Sequence, residues 1–154
     1  MTPRGRVIGV GQRAAGDDAV GLAVASEVAR LAPDVECHLA GDAMAIVPLL
    51  ATTLPVVVVD AVLAAPPGQV LVLALDDVQA GAAMAMSSHG LGVRQAIELA
   101  RVTEPETTAR ELHVVAVTIA KPVAWQDGLG PDVAQAVPHA ARQVLALLDA
   151  VTRA

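Results

Sequence analysis

A run of four valines followed by an aspartate, residues 56–60, constrains the fold of this chain more than any other segment. Valine favours strands, and an uninterrupted apolar run is typical of a strand that is buried on both faces of a parallel sheet. Helices must then cover both faces of that sheet. The run therefore predicts an α/β fold with this strand near the centre of the sheet and Asp60 at the strand's end.

The composition fits one domain with an aliphatic core. At 154 residues the chain has the size of a single domain, so we expect residues 1–154 to form one. Hydrophobic residues make up 55% of the chain, but Trp125 is its only aromatic residue. The longest apolar stretches are interrupted by Asp60 and by the prolines at 66 and 67 before they reach the roughly 18 residues of a transmembrane helix. We expect no membrane span.

The N-terminal sequence, the cysteine content and the net charge indicate the cellular location and exclude some classes of partner. The apolar run behind the basic N-terminus is only about four residues long, too short for a signal peptide, which predicts a cytoplasmic protein. The single cysteine, Cys37, cannot form an internal disulfide and fits a reducing compartment. A net charge of −6 without a Lys/Arg cluster argues against nucleic acid or an anionic membrane as a partner.

The other hydrophobic patterns place further strands and helices around this central strand. Strands are predicted at residues 6–11, 35–39, 56–59, 70–74 and 112–118, and helices at about 18–31, before 50, at 92–101 and from 131 onward, with a break or kink at Pro138. Only about nine residues join the third and fourth strands, too few for a parallel crossover. The fourth strand should therefore run antiparallel, and a parallel return of the fifth strand would push it to the edge.

The first loop also satisfies a loose nucleotide-binding pattern. Residues 9–14, GVGQRA, match G-x-G-x-x-G/A, and Glu36 is expected near the end of the second strand, where a ribose-binding acid would lie. However, helical periodicity begins only at Asp17 or Asp18, and two acids there would repel a pyrophosphate. The alternative to an enzyme is therefore a non-catalytic metal- or nucleotide-binding α/β domain, and the simpler reading of the glycines is a tight turn.

Three polar residues lie where strands of such a sheet end or helices begin: Asp18, Asp60 and His89. Residues just past the carboxyl ends of neighbouring strands converge on one crevice of an open α/β sheet. Each residue alone has an ordinary interpretation as a cap, turn or loop residue. Two carboxylates and one imidazole together would make a metal-binding constellation. No such context surrounds the other histidines, which are His38, His113 and His139.

Three segments resemble the hydrogenase maturation proteases, the endopeptidases that process the large subunit of nickel-iron hydrogenases. The segments are GVGQRAAGDDAVGLAV, VVVVDAV followed by PPG, and SSHGLGVRQAIELA. The resemblance extends through nearly the whole chain and includes LGPDVAQAV before the last helix. The order and spacing of the DD, DA and SHGLG elements carry the resemblance, since each element alone is weak.

The resemblance implies a three-layer α/β/α sandwich with a mixed, mainly parallel five-stranded sheet and one antiparallel edge strand. It implies that Asp18, Asp60 and His89 are both the metal contacts and the catalytic residues of a peptidase. It also implies that nickel is carried by the precursor large subunit, whose C-terminal extension is removed. The chain contains no HExxH motif and no recognisable Ser-His-Asp or Cys-His arrangement, which agrees with a metal that arrives with the substrate.

Three positions depart from the pattern of the family. Gln12 stands where the family commonly has Asn, and Ala19 stands where Gly commonly follows the acid pair. Residues 41–43 read Gly-Asp-Ala instead of a Gly-Gly-Thr or Gly-Glu type sequence. Ala19 is harmless inside a helix. Gln12 is expected to reshape the first loop, and Asp42 to affect substrate specificity, because its loop would border the same crevice.

Overall fold

The computed structural model describes residues 2–12, 15–73, 86–87, 92–121 and 128–153. Within these residues the strands are β1 (Arg6–Val10), β2 (Glu36–Ala40), β3 (Val56–Leu63), β4 (Val70–Leu73), β5 (Met86–Ser87) and β6 (Leu112–Ile119). The α-helices are α1 (Val20–Leu31), α2 (Gly92–Thr103) and α3 (Pro131–Arg153), and two 3₁₀ helices span Gly16–Ala19 and Met44–Leu50. No helix in this part of the chain is both long and apolar enough to cross a membrane.

The strands form one mixed sheet with β3 at its centre. The strand order is β2-β1-β3-β6-β4, and β1 is parallel to both β2 and β3, as β3 is to β6. β4 pairs antiparallel with β6 at one edge, and the two-residue β5 pairs antiparallel with the end of β3. The mixed, mainly parallel sheet, its five-strand path and its antiparallel edge strand are therefore as the sequence predicts, while the two-residue β5 is a sixth strand that the sequence did not indicate.

Side-chain alternation along β3 divides the core into two apolar layers. Val57 and Val59 point to the layer formed with α1 and α3, while Val56 and Val58 point to the layer formed with α2 and the second 3₁₀ helix. All four valines are fully buried. The helices thus cover both faces of the sheet, which gives the predicted three-layer α/β/α sandwich.

One local prediction is wrong, and a second is wrong in part. β3 does not end at Asp60 but continues to Leu63, because β6 stays in register beside it as far as Ile119. The last helix does not break at Pro138, because α3 continues from Pro131 to Arg153. A kink at this proline stays a prediction. Pro138 is exposed, so the ring lies on the solvent side of the helix.

Candidate functional site

The loop after β1 folds back onto the end of that strand. A Cβ atom on Gly11 would lie 2.5 Å from the backbone oxygen of Asp18. This close approach requires glycine, because any side chain would displace the 3₁₀ helix Gly16–Ala19. Asp18 is therefore held over the carboxyl end of β1, and only 6% of its surface is exposed.

The start of α1 brings the same segment against β3. A Cβ atom on Gly21 would lie 2.6 Å from the backbone oxygen of Val59 and would also collide with the backbone of Val10. The 3₁₀ helix that carries Asp18 contacts β3 directly. Two of the three predicted site residues, Asp18 and Asp60, therefore lie on adjacent segments at the carboxyl edge of the sheet.

Asp60 lies inside the central strand, not after it. It is 2% exposed, and its Oδ1 accepts a hydrogen bond of 2.8 Å from the backbone N–H of Ala61. Alternation along β3 places it on the same face as Val58, towards α2. Aspartate is disfavoured in strands and costly to bury, which makes this position a candidate for a functional role.

The two neighbouring acids have different surroundings. Asp17 is half-buried, and its Oδ1 accepts a 2.7 Å hydrogen bond from the backbone N–H of Gly130, directly before α3. Asp18 lies deeper, against the ends of β1 and β3. The sequence showed the two acids only as a pair at a helix start, and no local signal identifies Gly130 as the partner of Asp17, because 113 residues separate them.

The loops after β1 and β2 are joined at the same edge of the sheet. Gln12 Nε2 donates a hydrogen bond of 2.6 Å to the backbone oxygen of Gly41. In the second loop, Asp42 Oδ1 accepts a 2.9 Å hydrogen bond from the backbone N–H of Ala45, at the start of the second 3₁₀ helix. Two of the three departures from the family pattern, Gln12 and Asp42, therefore have local hydrogen-bond partners, and Asp42 caps the start of the second 3₁₀ helix.

His89 lies outside the described residues, so its role as a metal contact stays a prediction. The described chain reaches Ser87, which pairs with Val62 of β3, and resumes at Gly92 at the start of α2. Among the described residues, no three His, Cys, Asp or Glu side chains form a group that could hold a metal ion. The predicted set of three can thus be compared with the structure only for Asp18 and Asp60.

The nucleotide-binding interpretation of Glu36 is wrong. Glu36 is the first residue of β2 and lies at the amino edge of the sheet, whereas a ribose-binding acid is needed at the carboxyl edge. Its carboxylate is bonded to His38 at 3.0 Å and to Arg6, and the hydrogen bond from His38 and the Arg6 guanidinium hold its pKa below the usual value. In addition, α1 begins only at Val20, well after the glycine loop.

The family model and the solved structures point to one family. The HycI family model, described as hydrogenase maturation protease, matches residues 40–147. Protein FrxA of Pyrococcus furiosus is 30% identical over 134 residues, which cover 86% of this chain and 96% of FrxA. The hydrogenase maturating endopeptidase HybD of E. coli superposes with a TM-score of 0.76 at 27% identity, covering 96% of this chain and 93% of HybD. The [NiFe] hydrogenase maturation protease HybD of Thermococcus kodakarensis shares the fold, with a TM-score of 0.79 at 17% identity and coverage of 94% and 99%.

Proposed function

Because this chain belongs to the hydrogenase maturation protease family, we propose that it removes the C-terminal extension from the precursor large subunit of a nickel-iron hydrogenase. The chain is a peptidase, and hence a hydrolase, as the family is. The nickel recognition, the identity of the precursor and the cleavage of its tail are the steps that we propose. The cytoplasmic location remains a prediction from the sequence.

The observation that best supports this proposal is the burial of two carboxylates on adjacent segments at the carboxyl edge of the sheet. Asp18 is 6% exposed and Asp60 is 2% exposed. The packing of the helix start and of the apolar strand does not by itself require an acid at either position. Buried carboxylates are retained where they pair with cations or donors. A positively charged metal on the substrate is a suitable partner for both.

We propose that Asp18, Asp60 and His89 contact the nickel that the precursor carries. Carboxylate oxygen and imidazole nitrogen are suitable donors for a divalent ion of this type. Three donors leave coordination positions for ligands from the precursor or for a water molecule. Contact with the metal would let the chain distinguish a nickel-loaded precursor from a nickel-free one. It would also bring the C-terminal segment of the precursor to the crevice.

The proposed reaction is hydrolysis of one peptide bond. Water adds to the scissile carbonyl carbon, the C–N bond breaks, the mature subunit keeps the new carboxyl group, and the nitrogen of the released tail takes up a proton. A metal ion can assist this reaction by polarising the carbonyl group or by lowering the pKa of a bound water. The carboxylates and the imidazole of this chain would orient the metal relative to that bond.

The test is incubation of the purified, chelator-treated chain with nickel-loaded and with nickel-free precursor, followed by intact mass measurement. We expect the nickel-loaded precursor to lose its tail and the nickel-free precursor to stay unchanged. A heat-inactivated sample of the chain serves as the control. Equal cleavage of both precursors would contradict nickel recognition, and cleavage of neither would contradict the proposed substrate.

A further inference from the structure

We propose that Asp17 is a positioning residue, which holds Asp18 in place by anchoring the 3₁₀ helix Gly16–Ala19 to the start of α3. This inference rests on the proposed function, because it concerns the residue next to a proposed nickel contact. It assigns separate tasks to the two acids of the pair, with Asp18 facing the substrate and Asp17 fixing the backbone that carries it.

The carboxylate of Asp17 lies next to the backbone of Gly130. Oδ1 accepts the 2.7 Å hydrogen bond from the backbone N–H of Gly130. A Cβ atom on Gly130 would lie 3.5 Å from Oδ1 and 3.6 Å from Oδ2, so the whole carboxylate group is close to Gly130. A negative charge at this point also interacts favourably with the N-terminus of α3.

The anchor on α3 is firmly attached to the core. The backbone oxygen of Gly130 accepts a 2.8 Å hydrogen bond from the N–H of Ala134, which makes Gly130 part of the first turn of α3. Val133 and Ala136, on the next turn, are buried against the sheet, at 1% and 5% exposure. Asp17 is therefore bonded to a rigid element.

The segment that carries Asp18 is a weak structure by itself. It is a single 3₁₀ turn of four residues, and its hydrogen bond from Asp18 N to Ala15 O is long, at 3.2 Å. The N-cap residue Ala15 has no polar side chain to cap the turn. Without Asp17 we expect the turn to fray, and misplacing a contact residue by about 1 Å can cost about 100-fold in rate.

The experiment compares Asp17→Ala, which removes the acceptor, with Asp17→Asn, which keeps an oxygen in the same place. For Asp17→Ala we expect kcat on nickel-loaded precursor to fall about 10- to 100-fold with little change in KM, since binding surface is retained. Asp17→Asn should restore kcat to within about threefold of the parent, because the neutral amide oxygen still accepts the hydrogen bond.

Thr108→Val is the matched control for stability. Thr108 is buried near the amino end of β6, and its hydroxyl oxygen lies 3.0 Å from the backbone oxygen of Ala100 and 2.7 Å from that of Glu104, so its one hydrogen can be donated to either. Its loss should lower the melting temperature by roughly 2–5 °C, as should Asp17→Ala, but without changing kcat. If Thr108→Val loses as much kcat as Asp17→Ala, activity merely follows stability and the proposal is wrong.

Amide hydrogen exchange of the free chain tests the anchor without any protease assay. Asp17→Ala should accelerate exchange at Gly130 and at residues 17–20 but leave residues 44–50 unchanged, and Asp17→Asn should resemble the parent. The proposal fails if exchange at residues 17–20 is unaffected by Asp17→Ala, or if Asp17→Asn loses as much kcat as Asp17→Ala. If the parent chain cleaves no precursor, the proposed function is wrong, whereas the exchange data still decide whether Asp17 holds the turn.

Discussion

Gln12 and Gly41 join two loops that follow neighbouring parallel strands, through a 2.6 Å hydrogen bond from the side-chain amide of Gln12 to the backbone oxygen of Gly41. Gln12 follows β1 and Gly41 follows β2, so the bond links the two loops at the carboxyl edge of the sheet, next to the edge strand β2. An asparagine at this position would be one methylene shorter than Gln12.

Shortening Gln12 should therefore loosen the second loop without unfolding the chain. For Gln12→Asn we expect a loss of no more than about 1 kcal/mol, because the bond is exposed and neutral. In a chain of this size that is a fall of about 2–4 °C in melting temperature. Thermal unfolding and the KM for precursor measure the two effects, and an unchanged KM would show that this bond does not shape the substrate crevice.

The fold was predictable because the residue types of its main strands indicate how deeply each strand is buried. Four successive valines indicate burial on both faces, and β3 is indeed the central strand, with β1 and β6 on either side. The extension of β3 beyond Asp60 was not predictable from the local pattern. It depends on pairing with β6 and with the two-residue β5, and so short a strand has no periodicity of its own.

The candidate site was predictable only in outline. Strand ends point to the carboxyl edge of the sheet, and this places Asp18 and Asp60 on adjacent segments. The different surroundings of Asp17 and Asp18 come from Gly130, which is remote in sequence. The position of Glu36, in contrast, was predictable, because the predicted strand 35–39 already places this residue near the start of the strand. The register of β2 with β1, where Glu36 is opposite Arg6, puts it at the amino edge.

The ion pairs of Glu36 should make stability depend on acid pH. Its pKa is lowered in the folded chain by the hydrogen bond from His38 and by Arg6, so the folded state favours the ionised carboxylate. This stabilisation is fully present above the unfolded pKa, and it is lost as the pH falls through the lower, folded value. Glu36→Gln should therefore melt below the parent at pH 7, with the difference shrinking below about pH 4.5.

The matched control for this pH series is Glu27→Gln. The Glu27 carboxylate pairs with Arg30, whose side chain is 68% exposed, and this pair also lowers the pKa of Glu27. Because solvent screens such a pair, Glu27→Gln should lower the melting temperature less than Glu36→Gln does, with the same decline towards acid pH. Differential scanning fluorimetry of the parent and both variants between pH 3 and pH 8 provides the measurement. A Glu36→Gln difference that grows towards acid pH would contradict the assignment.

Nucleotides should not bind to the glycine loop. Asp17 and Asp18 lie directly behind it, and α1 starts only at Val20, so the loop does not present a helix N-terminus to a pyrophosphate. Addition of NAD, NADP, ATP or GTP should leave the melting temperature unchanged. A saturable rise with nucleotide concentration would favour the non-catalytic binding domain that the loop pattern also suggests.

Single substitutions at the three proposed contact residues should abolish most of the cleavage activity while leaving the chain folded. Asp18→Asn, Asp60→Asn and His89→Ala are each expected to lower tail removal by more than about 100-fold, since each removes a ligand from the same metal. Asp60→Asn retains the oxygen that accepts the hydrogen bond from Ala61, so the strand should stay folded. Precursor cleavage is measured beside circular dichroism and melting, with His139→Gln as an active control, and a folded His89→Ala variant with parental activity would refute the assignment.

Double substitutions should reveal whether these residues act on one metal. Ligands of one ion work as a unit, so once the first is lost there is little remaining catalysis for the second to remove. The double variant Asp18→Asn/Asp60→Asn should therefore be scarcely slower than the slower of its two single variants. If the two residues had independent roles, their losses in rate would multiply, so that two losses of about 100-fold would give a loss of about 10,000-fold. Single-turnover cleavage of nickel-loaded precursor distinguishes the two results, and a multiplicative loss would show that Asp18 and Asp60 do not share one metal.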